Sequence, residues 1–557
     1  MNFPNAADSR ADECIRQLEN KIAIRGVWEG HWREIAERLI PTQNFFQQRQ
    51  RPQGDKRTEK IFDSTAALAL QRCTAAFISM VIPSTQKYHK QSHSDPKIAD
   101  DDECKRYFDD VNDLLFRVRY APKANFQSQA AEVMQSSLGF GTGVMFIDDV
   151  LGMGIRYKSY PLAETYLAEN GHGVIDQLDR KFQLTAHQAA TQFGKENLPE
   201  AIQKALERNP QQTFWFLHCV KPNEDRVASR KDYRGMMFSS YYIALEQRQV
   251  ISEGGFRVFP FVTPRYETGP REVYGRSQAM LVLPTIKGLN EMKKTILRAA
   301  QKTVEPPIML TDNGSLGAFS VQSNALNRGY LDDNGRPMAV PFNSGARVDI
   351  GQELMDAERD IINDAFFVTL FRILVDNPQI TATEAMLRAQ EKGELLAPAG
   401  GRLQTEFVEP MVERELDILE ANGALPPMPL KLVQAGGIRS IVHTSPLSLA
   451  QRSREGVAIM NTIQAIMPMA QVDPGVLDNF DFDSIARELA DINGVPEKIL
   501  FTRDQVAAIK DQKAQAQQAQ QLLQAAPVAA SAAKDFAQAG AMAASAPNQQ
   551  APAIIPK

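Results

Sequence analysis

Few residues of the 557-residue chain combine types and spacings that could do chemistry. GFGTG (Gly139–Gly143) holds glycines of the kind that let backbone amides close on a phosphate. A dinucleotide fingerprint follows a strand and opens a helix, whereas this pattern predicts a helix before it and a strand after it. His89 and His93 stand at i and i+4, which on a helix would aim two imidazoles at zinc. No third ligand joins them, so they are read as solvent-exposed. His218-Cys219 sets a base beside a thiol, but neighbours along a strand face opposite ways. Asp478, Asp481 and Asp483 in DNFDFD are the carboxylates that a metal-dependent nuclease could use. Their spacing is not that of an EF-hand, and Asp483 before SIAREL suits a helix cap. No G-x-x-x-x-G-K-[ST] occurs, so the phosphate cradle of an ATP-driven motor is missing. The expectation is a protein that is not an enzyme and carries no cofactor or metal.

Charge is more informative than any motif. One predicted helix carries Lys287, Lys293, Lys294, Arg298 and Lys302 against Glu291, a net +4. Another carries Glu353, Asp356, Glu358, Asp360 and Asp364 against Arg359, a net −4. Solvated helix faces that happen to differ are one explanation. The sharper one packs the basic helix of one copy beside the acidic helix of the next. Exposed pairs are worth under about 1 kcal/mol each, so such a contact gains its strength by repetition around a ring.

The elements that position these charges follow from periodicity. Ile15, Leu18 and Ile22, and then Trp28, Trp32, Ile35 and Leu39, fall three and four apart within each run and predict an N-terminal helix that Pro41 stops. A polar loop, Gln47–Lys60, precedes a second helix that Asp63 or Ser64 can cap. Helical patterns at Asp100–Val118 and Asn125–Leu138 give way to strand-like runs at Val144–Asp148, Gly154–Tyr160, Phe214–Val220, Met237–Ala244 and Arg257–Val262. Pro284–Val304 reads as a helix with Ile286, Leu289, Met292, Ile296 and Ala300 on one stripe. Ile308–Ile350 is turn-rich and β-like, and Gln352–Leu374 is a helix with Leu354, Ala357, Ile361, Ala365 and Val368 as its apolar face. A capped helix at Thr381–Lys392, a helix at Gln404–Asn422, a β-like run at Gly437–His443, and helices at Leu447–Met467, Ser484–Ile492 and Arg503–Leu523 complete the chain. The Ala/Gln/Pro-rich tail is expected to be disordered.

Composition sets limits. With 43% hydrophobic and 23% charged residues the chain is an ordinary globular one, long enough for roughly three or four domains. A net charge of −5 argues against a surface that grips nucleic-acid phosphates everywhere. Cys14, Cys73, Cys104 and Cys219 are scattered, without a CxxC, and are expected to be buried free thiols in a reducing compartment. Neither a leader nor a membrane span is expected: the most apolar stretch, Ala66–Pro83, is interrupted by Gln71, Arg72 and Thr74.

Five segments, in this order and spacing, resemble the head-to-tail connector, or portal, proteins of short-tailed bacteriophages. They are KIFDSTAALAL (Lys60–Leu70), GFGTGVMFIDD (Gly139–Asp149), RVFPFVTPRYETGPREVYGRS (Arg257–Ser277), LPTIKGLNEMKKTILRAAQKTVEPPIML (Leu283–Leu310) and ITATEAMLRAQEK (Ile380–Lys392). SPLSLAQRS (Ser445–Ser453) and INGVPEKIL (Ile492–Leu500) match as well. The resemblance implies an α+β, mainly helical chain assembled as a ring, usually of twelve, around a DNA channel. It divides the sequence into an α+β wing (1–275), a first stem helix (276–304), a clip (305–350), a second stem helix (351–374), a tunnel-loop region with the rest of the wing (375–438), a helical crown (439–525) and the tail (526–557). The stem residues Lys287, Lys294, Arg298, Lys302, Glu353, Asp356, Asp360 and Asp364 become candidate inter-subunit contacts. Two loops compete to narrow the channel: Leu374–Thr381, with Asp376 and Asn377, and Lys392–Arg402, whose Lys392 and Arg402 suit phosphate better. The implied partners are double-stranded DNA held without sequence preference, terminase, scaffold, the major capsid protein and tail adaptor proteins, with no membrane. The implied location is the portal vertex of the virion, after assembly in the host cytoplasm. Another phage structural protein, such as a tail adaptor or an internal core protein, is the competing class.

Overall fold

The strand Thr213–Pro222 is apolar on both faces, and much of the α+β body follows from covering them. In a computed structural model the described residues are 6–43, 45–46, 54–99, 101–150, 152, 154–310, 319–331, 334–342, 348–372, 396, 398–436, 439–470, 474–492, 495, 499–503 and 505–517. The expected helix Thr381–Lys392 and the tail 526–557 lie outside them.

The chain opens with α1 (Ala6–Arg38), α2 (Thr65–Val81), β1 (His89–His93), α3 (Asp102–Arg119) and α4 (Phe126–Phe140). The strands β2 (Met145–Val150) and β3 (Gly154–Ser159) form a three-stranded sheet with β9 (Phe261–Val262), in the order β3-β2-β9. An antiparallel five-stranded sheet runs β4-β5-β6-β7-β8, from Thr165–Glu169, Ile175–Thr185, Thr213–Pro222, Phe238–Ala244 and Gln249–Phe256. Alternation sorts β6: Phe214 and Phe216 meet the helices α5 (Ala186–Phe193) and α6 (Glu200–Arg208), while Leu217 and Cys219 meet Ala11, Cys14, Ile15 and Leu18 of α1. The far half of α1 enters the main core through Trp32, Ile35, Ala36 and Leu39.

The long helix α7 (Leu283–Val304) starts with proline in its first turn, as expected. After the two-stranded ribbon β10 (Ile308–Leu310) and β11 (Ala339–Pro341) the chain returns as α8 (Val348–Ala365) and α9 (Val368–Arg372). The expected unbroken helix from Gln352 to Leu374 is therefore corrected: it starts earlier and breaks at Phe366–Phe367, where buried Phe366 enters the core and Phe367 adopts a left-handed φ of 56°. Its apolar stripe is corrected in part. Of the expected residues Val368 is buried and Ala365 packs on the core, but Leu354 and Ile361 are about half exposed, at 55% and 51%, and Met355, Ile362 and Phe366 are buried instead. Gly351 lets α8 lie close against α7: a Cβ there would come within 2.6 Å of Ile296 Cδ1, so that side chain would have to move aside.

One carboxylate of the body binds both helices of this hairpin. Asp63 Oδ2 accepts from Arg359 of α8 at 2.7 and 3.2 Å and from Lys293 of α7 at 3.5 Å. Its other oxygen accepts from the Thr65 amide at 2.9 Å, at the start of α2. Asn290 of α7 accepts from the Phe62 and Asp63 amides at 2.7 and 3.0 Å. Burial alone would raise the Asp63 pKa; hydrogen bonds from Thr65 and Arg359 override it and hold the value at about 2.

The helix α10 (Glu409–Ala421), entered through a π-helical turn at Gln404–Val408, is packed on most sides. Its Glu415 meets Arg119 of α3 in a fully buried fork, at 2.9 and 2.6 Å, while Arg119 donates to Tyr88 at 2.7 Å and Tyr157 donates to Glu415. Glu406 takes Arg265 in a second fork, at 3.1 and 2.8 Å. Past β12 (Arg439–His443), which pairs with β1, come α11 (Pro446–Ala470), α12 (Phe482–Ile492) and a helical stretch at 505–517.

Two predictions follow from these joints. The Asp63 carboxylate has a depressed pKa, so its contribution is present above the unfolded value near 4 and lost as pH falls toward 2. Asp63→Asn should lower stability at pH 7 by about 2 kcal/mol, measured by urea unfolding, and flatten the acid dependence between pH about 4 and 2. A Cβ at Gly141, where φ is 88°, would lie 2.0 Å from the Gly275 carbonyl oxygen; Gly288, inside α7, has nothing within 4 Å. Gly141→Ala should destabilise by about 2 kcal/mol or more, and Gly288→Ala should stabilise by roughly 0.5–1 kcal/mol, both read by thermal unfolding.

Candidate functional site

The surface that the sequence singled out is the α7–α8 hairpin. Near the body, Leu283, Ile286, Leu289 and Asn290 are buried; farther out, α7 is exposed. The eight expected contact residues divide into two groups. Lys287 pairs with Glu34 of α1, Lys294 with Glu291 at 3.3 Å and Asp356 with Arg359 at 2.6 Å, while Asp364 accepts from the Thr369 hydroxyl at 2.7 Å. Among the described residues, Arg298, Lys302, Glu353 and Asp360 make no ion pair within the chain, and all four are exposed. Apolar side chains share that outer surface: Leu297, Val304, Leu354 and Ile361 on the helices, Met309, Val340 and Phe342 on the ribbon. Opposite charges and exposed apolar side chains thus occupy the same hairpin, the four charges without ion-pair partners among the described residues.

Of the expected channel residues, Asp376, Asn377 and Lys392 lie outside the described residues. Arg402 forms an ion pair with Glu406 at 3.1 Å, one helical turn away, and so joins the Arg265–Glu406 fork.

The small motifs resolve into structure. GFGTG is the end of α4: Gly141 takes the left-handed conformation that closes the helix, and Thr142 Oγ1 accepts from the Gly275 amide at 2.8 Å. The Ser277 hydroxyl donates to the Gly139 carbonyl at 2.7 Å and Trp32 Nε1 to that of Phe140 at 3.0 Å. The glycines serve a backbone crossing. His218 and Cys219 point apart on β6, as read. His218 stacks on Tyr242 at 4.0 Å with an Nε2–Ser240 Oγ hydrogen bond of 3.0 Å, and burial, then Arg180, drops its pKa to about 3. The helical, exposed reading of His89 and His93 is corrected: they lie on strand β1 and both are buried, because the strand is covered on that face by α3. The cap of α12 is corrected as well. Asp481, not Asp483, accepts from the Asp483 and Ser484 amides at 3.1 and 3.2 Å, and Asp483 pairs with Lys510. All four cysteines are free and buried. Among the described residues no cluster of three or more His, Cys, Asp or Glu is placed to hold a metal ion, and no helix is long and apolar enough to cross a membrane.

Asp63, Asn290 and Arg359 position the hairpin, a role that charge counting does not assign. Arg359, the lone cation on an acidic helix, was the visible signal; Asn290, one step from the apolar stripe of α7, was the quieter one.

Known proteins place the chain. A curated relative of Bordetella phage BPP-1, described as a probable portal protein, is 27% identical over 511 residues, covering 89% of this chain and 90% of that one. The portal protein of Salmonella phage epsilon15 is 27% identical over 543 residues, covering 96% of each. Among solved structures, a chain from the virion of a native gene transfer agent particle aligns over 71% of this chain and 85% of that one, at 11% identity and a TM-score of 0.34. The family model described as bacteriophage head to tail connecting protein matches residues 11–500, and the chain belongs to that family.

Proposed function

We propose that this phage portal protein works as a closed ring whose subunits meet through the α7–α8 hairpins, the basic outer face of α7 in one copy lying against the acidic outer face of α8 in the next. The observation that carries the reading is the coincidence, on one hairpin, of Arg298 and Lys302, of Glu353 and Asp360, and of exposed Leu297, Val304, Leu354 and Ile361. Each ion pair adds under about 1 kcal/mol, so burial of the apolar side chains has to supply most of the contact and the charges its register. Head-to-tail contacts of this kind close into rings; twelve copies is the family expectation.

On this reading the hairpins form the stem. A 22-residue α7 is roughly 33 Å long, near one turn of B-DNA, so the stem surrounds a helical turn of duplex without reading base edges. A strongly basic bore would hold DNA through its phosphates, and the slight negative balance of the chain suits sliding instead. The β10–β11 ribbon serves as the clip that meets terminase during filling and tail adaptors later. The three- and five-stranded sheets and α1–α4 form the wing facing scaffold and the major capsid protein, and α11–α12 belong to the crown. The protein sits at one vertex of the virion after assembly in the host cytoplasm. Energy for DNA movement comes from the packaging ATPase, and this chain contributes the conduit and the docking platform.

The test is a charge exchange. Arg298→Glu with Lys302→Glu should weaken association about tenfold per interface, seen by native mass measurement as a loss of rings, and adding Glu353→Lys and Asp360→Lys should restore most of it. Normal rings from the first double variant would remove the complementary hairpin from the assembly.

A further inference from the structure

Between the β1–β12 ribbon and α10 lies a cleft of about 960 Å³ that the portal reading does not use. Three turns of α10 form one wall and place Glu409, Glu413, Asp417 and Glu420 along it. Steps of four, four and three residues put successive carboxylates roughly 5–6 Å apart along the helix. Asp417 is satisfied by Arg257 at 2.7 Å and Arg414 at 2.6 Å, and Glu409 meets only His443, at 3.2 Å. Glu413 and Glu420 have no ion pair among the described residues. Among the described residues the four carboxylates thus meet two guanidinium groups, both on Asp417, which leaves the wall acidic; partial withdrawal from water, then the neighbouring Glu409 carboxylate, raises the proton affinity of Glu413.

The opposite wall carries a second, independent sign of an absent ligand. Gln91 lines the cleft and is 2% exposed, and neither its amide oxygen nor its amide nitrogen has a partner among the described residues. A buried amide left unpaired on both atoms is unfavourable by roughly 1–3 kcal/mol per group, which a bound hydrogen-bonding ligand would relieve. The floor is apolar, with Leu416, Met428, Val433 and Ile441. Through Val258 and Glu413 the cleft continues into a second hollow of about 480 Å³, lined by Phe238, Phe259, Met237 and Val174.

We propose that this cleft is the docking site for a basic, amphipathic polypeptide segment of a partner protein. Its Lys or Arg side chains would lie along the Glu409–Glu420 wall, its peptide groups would satisfy Gln91, and an apolar side chain would enter the Phe238–Phe259 hollow. A single metal ion fits poorly, since no cluster of three or more metal-ligating side chains converges there among the described residues. A cationic polyamine supplies the charge but no carbonyl to accept from Gln91 Nε2, and it leaves the aromatic hollow empty. A polypeptide supplies all three.

The experiment uses the full-length chain and a fluorescent helical peptide of about 14 residues, with lysines at i, i+4 and i+8 and leucine and phenylalanine on the adjoining face. Anisotropy should show saturable binding, one peptide per chain, weakened about tenfold by Glu413→Gln with Glu420→Gln and about fivefold by Gln91→Ala. Both changes are small enough to leave thermal unfolding in place, and the single Gln91 variant reads the cleft without touching its charge. Equal binding to wild type and the Glu413/Glu420 variant overturns the proposal. So does displacement of the peptide by spermidine at equal cation concentration, which would make the site a polyamine site. Loss of ring assembly in the same variant would assign the cleft to a second copy of this chain and would also overturn it. None of these results bears on the hairpin contact, which the charge exchange tests separately.

Discussion

The Asp63 carboxylate is the constraint on which the arrangement of this chain depends. The hairpin α7–α8 is joined to the body by few elements, and it must leave in one direction for its outer faces to be useful. Asp63 stands at the start of α2 and binds cations from both helices, while Asn290 fixes the backbone beside it. Packing alone would hold Ile286, Leu289 and Ile362 in the core with freedom to rotate by part of a turn, since apolar contacts are not directional. Forked hydrogen bonds to a buried charge remove that freedom.

The same device recurs at long range. Arg119–Glu415 spans 296 residues of sequence, Arg265–Glu406 spans 141, and Arg359–Asp63 spans 296. Buried pairs of this kind add little net stability over a well-packed apolar replacement, because desolvation offsets most of the attraction. Breaking one is expensive, and a misplaced segment breaks one. Their value is in orientation: each tells a late segment, α8 or α10, where to dock on an early one.

How much of this was legible in the sequence depended on which periodicity a segment carried. The long amphipathic helices α1, α3, α4 and α7 declared themselves because a covered stripe recurs every three or four residues. β6 declared itself through its run of aromatic and β-branched residues. The strands β4, β5 and β8 did not. β5 reads IDQLDRKFQLT, and its Asp179, Arg180 and Lys181 look like loop residues until Lys21 and Glu164 are seen to pair with the first two. β1 was hidden for the same reason, since HKQSH contains nothing apolar and is buried by tertiary packing alone. On the hairpin the charges were read from the sequence, but the apolar face of α8 was taken on the wrong side. Leu354 and Met355 offer two stripes one residue apart, and only the position of Arg359 over Asp63 decides between them.

That misreading is itself physically informative. A helix of a monomer needs one apolar face; α8 has two, one buried through Met355 and Ile362 and one left in water through Leu354 and Ile361. Transfer of such side chains from water is favourable by roughly 25 cal/mol per Å², so the second face is a standing drive toward association. Hydrophobic drive alone would accept any apolar surface, including a face-to-face pair that closes after two copies. Unpaired Arg298 and Lys302 on α7 and unpaired Glu353 and Asp360 on α8 narrow that choice, because they disfavour contacts between like helices. Like helices repel and unlike helices attract, so the proposed contact sets α7 of one subunit against α8 of another. In the proposed ring this contact repeats from subunit to subunit until the rotation closes.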